Sequence, residues 1–369
     1  MASTFSLLLN GAPADDKLLT QLAMLEVEEN VHLPGAIQLR VPVDASEGDL
    51  TYVNDSRFAP FANLAVVATA EGGSDQCIFD GYVLSHKLHL ETGTTSSTLE
   101  VWGQDASWLM NMEEKAREWV DLTDADVATA VFADYGIAPA DGNSADDSPA
   151  HTEDGHSLMQ RATDIQFLRS LAQRNGKFCR VACDDQPGRR IGYFAKPDLD
   201  GEPVATLSLN DPATANIDKL DIAWEVTHPT AVTARQALFS DSDEDGVSGD
   251  ADDSDLPPLE ARGLADFAGR SMTVMLTAPV DDGGELGMRA RALLREAGWF
   301  VRCEGEADVG QVKAVLRAGT VVEVDGLGAV HSGKYLVWSV RHSIALDSHR
   351  MKFVLVRNAV GEAPAGGPG

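Results

Sequence analysis

The 369-residue chain has little cysteine and no long apolar run. Four cysteines occur at scattered positions: Cys77, Cys179, Cys183 and Cys303. Cys179 and Cys183 lie four residues apart in one strand-like run, too far apart to bridge each other. We expect all four to be reduced core thiols in a cytoplasmic setting. No apolar run reaches the roughly 18 residues of a membrane-spanning helix. The patch Phe5–Leu9 follows no basic segment, so we expect no signal peptide.

Positive charge is also scarce, since 29 Lys and Arg face 58 Asp and Glu, giving a formal net charge of −29. Such a surface repels the phosphate backbone and anionic lipid, so we expect no stable nucleic-acid binding and no membrane insertion. The acids are concentrated in two stretches, residues 121–154 and residues 240–255, neither of which contains Lys or Arg.

Motifs of common catalytic sites are missing. The sequence has no Gly-x-Ser-x-Gly, His-Glu-x-x-His, phosphate-binding P-loop or Cys-x-x-Cys pattern. His86 and His89 are three residues apart on a predicted strand and should point to opposite faces, which does not suit a metal site. His342, alone at a strand end, is more typical of packing than of catalysis. We expect no enzyme and no cofactor, with a carboxylate-dependent cell-wall hydrolase as an alternative.

The stretch 240–255, SDSDEDGVSGDADDSD, begins like an EF-hand calcium loop. Four residues match ligand positions of such a loop: Asp241, Asp243, Asp245 and Asp252. The flanks do not match, because a strand-like run precedes the stretch and Pro257-Pro258 prevents a helix directly after it. We therefore expect a mobile, solvated loop and no metal site, and an acidic calcium-dependent binding module stays the alternative.

Hydrophobic periodicity divides the chain into three regions with a flexible tail at 361–369. Alternating runs separated by Gly, Pro, Asn and Asp predict an antiparallel β-barrel or sandwich in residues 1–110. Residues 111–205 predict a small α/β domain, and residues 206–360 predict a second β domain with an insertion at about 241–312. Helices are predicted at Ser107–Trp119, from a capping box at Thr123–Asp126 to Gly136, from a capping box at Thr163–Gln166 to Gly176, and at Glu285–Ala297.

Three stretches, in this order and spacing, resemble one known family. They are Leu122-Thr-Asp-x-Asp-Val-Ala with Tyr135-Gly-Ile, then Thr163–Gly176, then Leu316–Gly328 continuing through Ser332–His342. Together they resemble the phage late control D family, which includes the baseplate hubs of contractile tails and the N-terminal part of VgrG spikes. The resemblance spans about residues 20–358. Its motif residues, to which we assign structural roles, are Phe167, Leu168, Leu171, Gly176, Gly319, Gly326, Gly328, Gly333, Tyr335, Val337 and His342.

The resemblance implies a structural protein of an α+β, mainly β class, with two tube-type antiparallel β-barrels, an intervening α/β domain and an insertion in the second barrel. It implies a homotrimer whose six barrels form a pseudo-sixfold ring between a hexameric inner tube and a trimeric spike. Expected partners are the inner tube or tube-initiator protein, baseplate wedge proteins and a separate spike protein, since no spike repeat follows in this sequence. The expected location is a virion baseplate or an injection particle assembled in the cytoplasm.

Overall fold

The computed structural model describes residues 4–44, 50–92, 96–145, 148–153, 157–236, 246–280 and 282–362. The strands are β1 (Thr4–Leu9), β2 (Ala12–Pro13), β3 (Met24–Asn30), β4 (Ala36–Pro42), β5 (Asn63–Thr69), β6 (Asp75–His89), β7 (Thr98–Asp105), β8 (Glu114–Trp119), β9 (Ala138–Pro139), β10 (Leu158–Thr163), β11 (Phe178–Cys183), β12 (Arg190–Ala195), β13 (Thr206–Ser208), β14 (Lys219–Trp224), β15 (Ala231–Gln236), β16 (Arg262–Gly263), β17 (Thr273–Ala278), β18 (Val301–Asp308), β19 (Val321–Asp325), β20 (Gly333–Ala345), β21 (Ser348–Arg357) and β22 (Ala359–Val360). The helices are α1 (Asp16–Gln21), α2 (Asp124–Asp134), α3 (Asp164–Asn175), α4 (Leu264–Ala268), α5 (Gly283–Ala297), α6 (Val309–Val312) and α7 (Gly328–His331), with 3-10 turns at Ser56–Phe58 and Ala106–Asn111.

Thirteen strands form one sheet that contains both β regions of the chain. Its order is β14, β18, β21, β20, β3, β4, β7, β6, β5, β1 and β2, with β19 and then β13 attached to β20. Every pairing is antiparallel except that of β13 with β19. The α+β, mainly β class is therefore confirmed. Closure of each half into a barrel stays a prediction.

Alternation within the strands places one hydrophobic core beneath both halves. In β3 and β4 every second residue is buried, so each strand turns one apolar face inward. Leu25 and Leu39 of the first half and Tyr335 and Phe353 of the second belong to the same buried cluster. The two halves are thus packed as one body.

The middle region has a core of its own, built on the two longest of its helices. Phe132 of α2 and Leu168 of α3 are fully buried together with Phe194 of β12. The capping box at the start of α2 is confirmed, since Thr123 and Asp126 exchange both hydrogen bonds. The capping box predicted at Thr163 is wrong, because that hydroxyl donates to Asn111 Oδ1 at 2.8 Å instead.

The helix predicted over Ser107–Trp119 is also wrong. The chain makes a 3-10 turn at Ala106–Asn111 and then enters β8, which pairs with β10. Pairing with β10, in which Leu158 lies opposite Trp119 and Thr163 lies opposite Glu114, overrides the local helical spacing. Trp119 shows the long-range link directly, since its indole Nε1 donates to Gln160 Oε1 at 3.1 Å.

A separate small unit lies between β14 and β18. β15 pairs in parallel with β17, and α5 packs over them through a third core that includes Val232, Leu286 and Ala290. A parallel pair needs a long crossover, which the intervening segment supplies. The predicted insertion at 241–312 overlaps this unit, although β15 belongs to the unit and β18 to the main sheet. The domain boundaries stay predictions.

Candidate functional site: the joint of the sheet and its open edges

The two halves of the sheet meet where β3 pairs with β20. Six residue pairs are in register, from Ser339 opposite Asn30 to Ile344 opposite Leu25. Val27 and His342 face each other in this ladder, and both are fully buried. The joint is therefore part of the core.

A largely buried ion pair, with the side chains of Arg317 and Glu29 14% and 8% exposed, fixes the same joint from the inner side. Glu29 of β3 accepts from Nε and Nη2 of Arg317, at 2.8–2.9 Å and 2.7 Å. Arg317 Nη2 also donates to the carbonyl of Cys183 at 3.1 Å, which ties in the α/β region. Burial alone lowers the pKa of Arg317, but the charge and hydrogen bonds of Glu29 outweigh it and the pKa is raised. The guanidinium thus holds three regions together.

The outer face of the sheet carries charges of both signs. Directly opposed residues of antiparallel strands share a face, and Arg341 lies opposite Glu28, with their atoms 2.8 Å apart. Further cross-strand pairs on this face are Arg40–Glu100, Lys87–Glu100, Lys219–Glu306, Lys352–Glu306 and Arg350–Glu306. In a chain of net charge −29, the face from β6 to β14 is nearly balanced. We call it the balanced face.

The main path of the sheet, from β14 to β2, ends in two open edges, and its side branch ends at β13. β14 pairs with β18 on one side, and the described residues place no strand on its other side. Trp224, at the end of β14, is 55% exposed. At the far end, the two-residue β2 follows β1. Unpaired strand edges present free backbone donors and acceptors, which suits pairing with another chain.

The motif residues of α3 lie in packing positions. Phe167, Leu168 and Leu171 are buried in the core of the α/β region. Gly176 ends α3 with a φ of +61°, and a Cβ there would lie 2.7 Å from Cα of Ala292 in α5. This glycine allows the two helices to approach closely.

The glycines of the third motif stand at turns around β19 and β20. Gly319, Gly326, Gly328 and Gly333 all have positive φ. A Cβ on Gly326 would clash with the carbonyl of Leu209, and one on Gly333 would clash with Glu260. These contacts bring the segment directly after β13 and the segment directly before β16 close to the sheet.

Tyr335 and Val337 are fully buried in the second half of the sheet. The Tyr335 hydroxyl donates to the carbonyl of His331 at 2.7 Å and accepts from Arg357 at 3.3 Å. Burial raises the pKa of Tyr335 to about 12. Both residues contribute to packing rather than to an open site.

His342 has a partner that local patterns did not reveal. Its Nδ1 lies 2.9 Å from Nε2 of His349, and both rings are buried between β20 and β21. Burial lowers the pKa of His349 to about 4 and that of His342 well below its ordinary value. Both are neutral near pH 7. The two histidines are seven residues apart, on the adjacent strands of one hairpin, and this spacing is the sequence feature that points to their contact.

The prediction of four reduced cysteines is wrong. Cys77 of β6 and Cys183 of β11 form a disulfide, and Cys179 and Cys303 are free and buried. The bridge joins positions 106 residues apart. It forms because β11 packs against β6, a contact between separate regions that local spacing does not show.

The described part of the acidic stretch is not a free loop. Residues 247–251 run antiparallel along β15, with Val232 N–H donating to Ala251 O at 2.7 Å and Gln236 N–H to Val247 O at 2.9 Å. The predicted mobile loop is wrong for this part.

The calcium site suggested by the sequence lies mostly outside the described residues, so it stays a prediction. Asp241, Asp243 and Asp245 lie outside the described residues, and Asp252 is exposed. Within the described ranges, no group of three or more His, Cys, Asp and Glu could hold a metal ion. Across the same ranges, no helix is both long and apolar enough to cross a membrane.

The α/β region contains a buried carboxylate to which no local sequence pattern points. Asp124 accepts from Arg174 at 2.8 Å, from Asn175 at 2.6 Å, and lies 2.8 Å from His151 Nε2. Burial raises its pKa, but these partners outweigh burial and lower the pKa to about 2. An Asp–His contact suggests catalysis, yet here the side chain is wholly enclosed and secures the start of α2.

A family model described as the Alg8 N-terminal domain matches residues 2–345. The chain belongs to this family. No curated protein matches the chain. The family differs from the late control D family to which the sequence motifs point.

Solved structures show the fold. The tail protein from Neisseria meningitidis MC58 superimposes with a TM-score of 0.67 at 14% identity, covering 97% of both chains. The 43 kDa tail protein of prophage MuSo2 from Shewanella oneidensis gives 0.65 at 15% identity, covering 97% of this chain and 100% of the other. The E. coli c3393 protein, a component of the type VI secretion system, gives 0.55 at 14% identity, covering 94% and 76%. The chain therefore has the fold of these tail proteins.

Proposed function

We propose that this chain is a non-enzymatic structural hub of a contractile phage tail or tail-like injection particle. The observation that carries the proposal is the likeness to two tail proteins over nearly the full length of both chains. The continuous sheet adds a physical reason, since two half-sheets joined through β3 and β20 form a unit suited to repetition around a ring.

In this proposal three copies form a closed ring. A cyclic trimer needs one surface of each copy to meet a different surface of the next. The edges at β14 and at β1–β2 are two such different surfaces at opposite ends of one sheet. Three chains then supply six half-sheets, which matches a hexameric inner tube on one side and a trimeric spike on the other.

The balanced face is the surface we assign to the inner passage of the ring. Its basic and acidic side chains are paired with each other across strands, as Arg341 is with Glu28. A face of low net charge attracts neither an acidic nor a basic object strongly. Such a surface suits the passage of material without adhesion. The remaining partners in this proposal are baseplate wedge proteins.

Electron cryomicroscopy of the assembled particle tests this function. We expect the images to show three copies of the chain as a threefold ring between tube and spike. Particles from cells lacking the chain should have no spike attached to the tube. Complete particles that form without the chain would contradict the proposal.

A further inference from the structure

A cavity of about 320 Å³ opens between α3, the C-terminal end of α5 and the joint of the sheet. Its lining includes His32, Arg169, Phe178, Arg295, Trp299 and Trp338. This volume lies at the small end of the range for ligand sites. The cavity lies apart from the balanced face and the open edges.

One wall of the cavity is aromatic. The His32 ring lies 4.9 Å from Phe178 and 5.0 Å from Trp338, and Trp299 lies 6.3 Å from Trp338, all in edge-to-face arrangements. Both tryptophans are only partly buried. Rings held in this way offer a contact surface for a flat apolar group.

The lining also includes an incompletely bonded cation, Arg169. Nε and Nη2 of Arg169 are buried and have no hydrogen-bond partner among the described residues. These two nitrogens form one side of the guanidinium, and the same side of Arg317 holds the carboxylate of Glu29. Arg190 holds Asp80 in the same way, at 3.1 Å for each bond. A carboxylate is thus the group that matches the unbonded side of the Arg169 guanidinium.

The other two cations of the lining, Arg295 and Lys177, are engaged elsewhere. Arg295 donates to the carbonyls of Ser254 and Asn175, each at 2.8 Å. Lys177 donates to the carbonyl of Asn143 at 3.1 Å. Burial lowers the pKa of His32, and Arg169 adds to this while Glu296 opposes it, so that ring is neutral near pH 7.

We propose that the cavity binds a carboxylate attached to a flat apolar group. The carboxylate bonds to Nε and Nη2 of Arg169, whose guanidinium turns about its last side-chain bonds to face the cavity, and the apolar group packs against Trp299 and Trp338. A free aromatic acid and the C-terminal residue of a protein chain share this chemistry. This inference is independent of the proposed hub function.

Titration with 3-phenylpropionate, followed by tryptophan fluorescence and calorimetry, tests the site. We expect the acid to bind at least about tenfold more tightly than 3-phenylpropionamide, because only the acid completes the charged pair. Arg169→Met should lose about tenfold or more in affinity with an unchanged Tm. Arg161→Met, on the exposed side of β10, is the matched control and should bind as the parent does.

Two peptides separate the sources of the carboxylate. Binding of acetyl-Gly-Gly-Phe with a free C-terminus, but not of its C-terminal amide, supports a protein terminus. Binding of the free acid alone supports a small molecule. Equal affinity for 3-phenylpropionate and its amide, full affinity in Arg169→Met, or no binding of either acid up to about 10 mM would overturn the proposal. A crystal soak should show the carboxylate on Nε and Nη2.

Discussion

Two regions of the molecule are connected to the rest of the fold in different ways. One is the joint between β3 and β20, and the other is the small unit of β15, β17 and α5. The joint shares the main core, carries a buried two-bond ion pair and extends one sheet without interruption. The small unit has a core of its own and meets the α/β region chiefly where α5 passes Gly176 of α3. A rigid joint suits a subunit that must keep its shape in a ring, whereas a self-contained unit can vary without disturbing the sheet.

The largest expected effect comes from breaking the joint at its ion pair. Glu29→Gln leaves the buried Arg317 guanidinium without its charge partner and should lower the free energy of unfolding by about 3 kcal/mol. Urea denaturation measures this loss.

The matched control is Glu28→Gln, which breaks the exposed pair with Arg341, whose side chains are 41% and 50% exposed. This change should cost less than about 1 kcal/mol. Equal losses in the two variants would show that the buried pair has no special role in the joint.

Acid should weaken the protein next, through the buried ring of His349 in β21, which contacts His342 at the joint. The folded-state pKa of His349 is about 4, below the ordinary 6.5, because burial disfavours the imidazolium. As the pH falls the unfolded chain binds the proton first, so stability is full above about pH 6.5 and declines towards pH 4, by about 3 kcal/mol.

Urea denaturation at a series of pH values measures this dependence. His349→Gln should reduce the slope of the profile over that window, and the exposed His86→Gln should leave it unchanged. The carboxylate Asp124, with a pKa of about 2, loses its contribution only below about pH 4. An unchanged slope in His349→Gln would contradict our account.

Reducing the disulfide removes the covalent link between β11 and β6 and leaves the small unit untouched. The bridge closes a loop of about a hundred residues, and its loss should cost about 3 kcal/mol, seen as a lower Tm in dithiothreitol. Cys77→Ala should no longer respond to the reductant, and Cys303→Ala should still respond. A Tm that is the same with and without reductant in the parent protein would refute the stabilising role.

The smallest expected effect concerns the contact of the small unit. Gly176→Ala adds a Cβ at 2.7 Å from Ala292 and also strains a φ of +61°. Gly136→Ala strains a similar φ of +66° with nothing within 4 Å, so it isolates the backbone strain.

Gly136→Ala should lower the free energy of unfolding by about 1 kcal/mol. Gly176→Ala should lower it by about 1 kcal/mol more, because the added Cβ overpacks the contact with α5. Thermal denaturation of both variants checks the difference. Identical losses would mean that α5 moves aside freely.

Local features of the fold were readable from the sequence. The capping box of α2 and the glycine that ends α3 are where the local residues predict them, because a helix end depends on neighbours within one turn. The alternation in β3 and β4 also gave the strands and their inner faces.

Long-range features were not readable. β3 and β20 pair across some 300 residues, and Cys77 meets Cys183 across 106. No local pattern records such contacts. The unbonded nitrogens of Arg169 were not predictable either, because they depend on which carboxylates the fold places elsewhere.

The central claim is that this chain is a ring-forming structural subunit, and its mass in solution tests that claim most directly. Native mass spectrometry, supported by light scattering, should give three times the 39.4 kDa mass of the chain. A species of one chain mass that persists at high protein concentration would contradict the account.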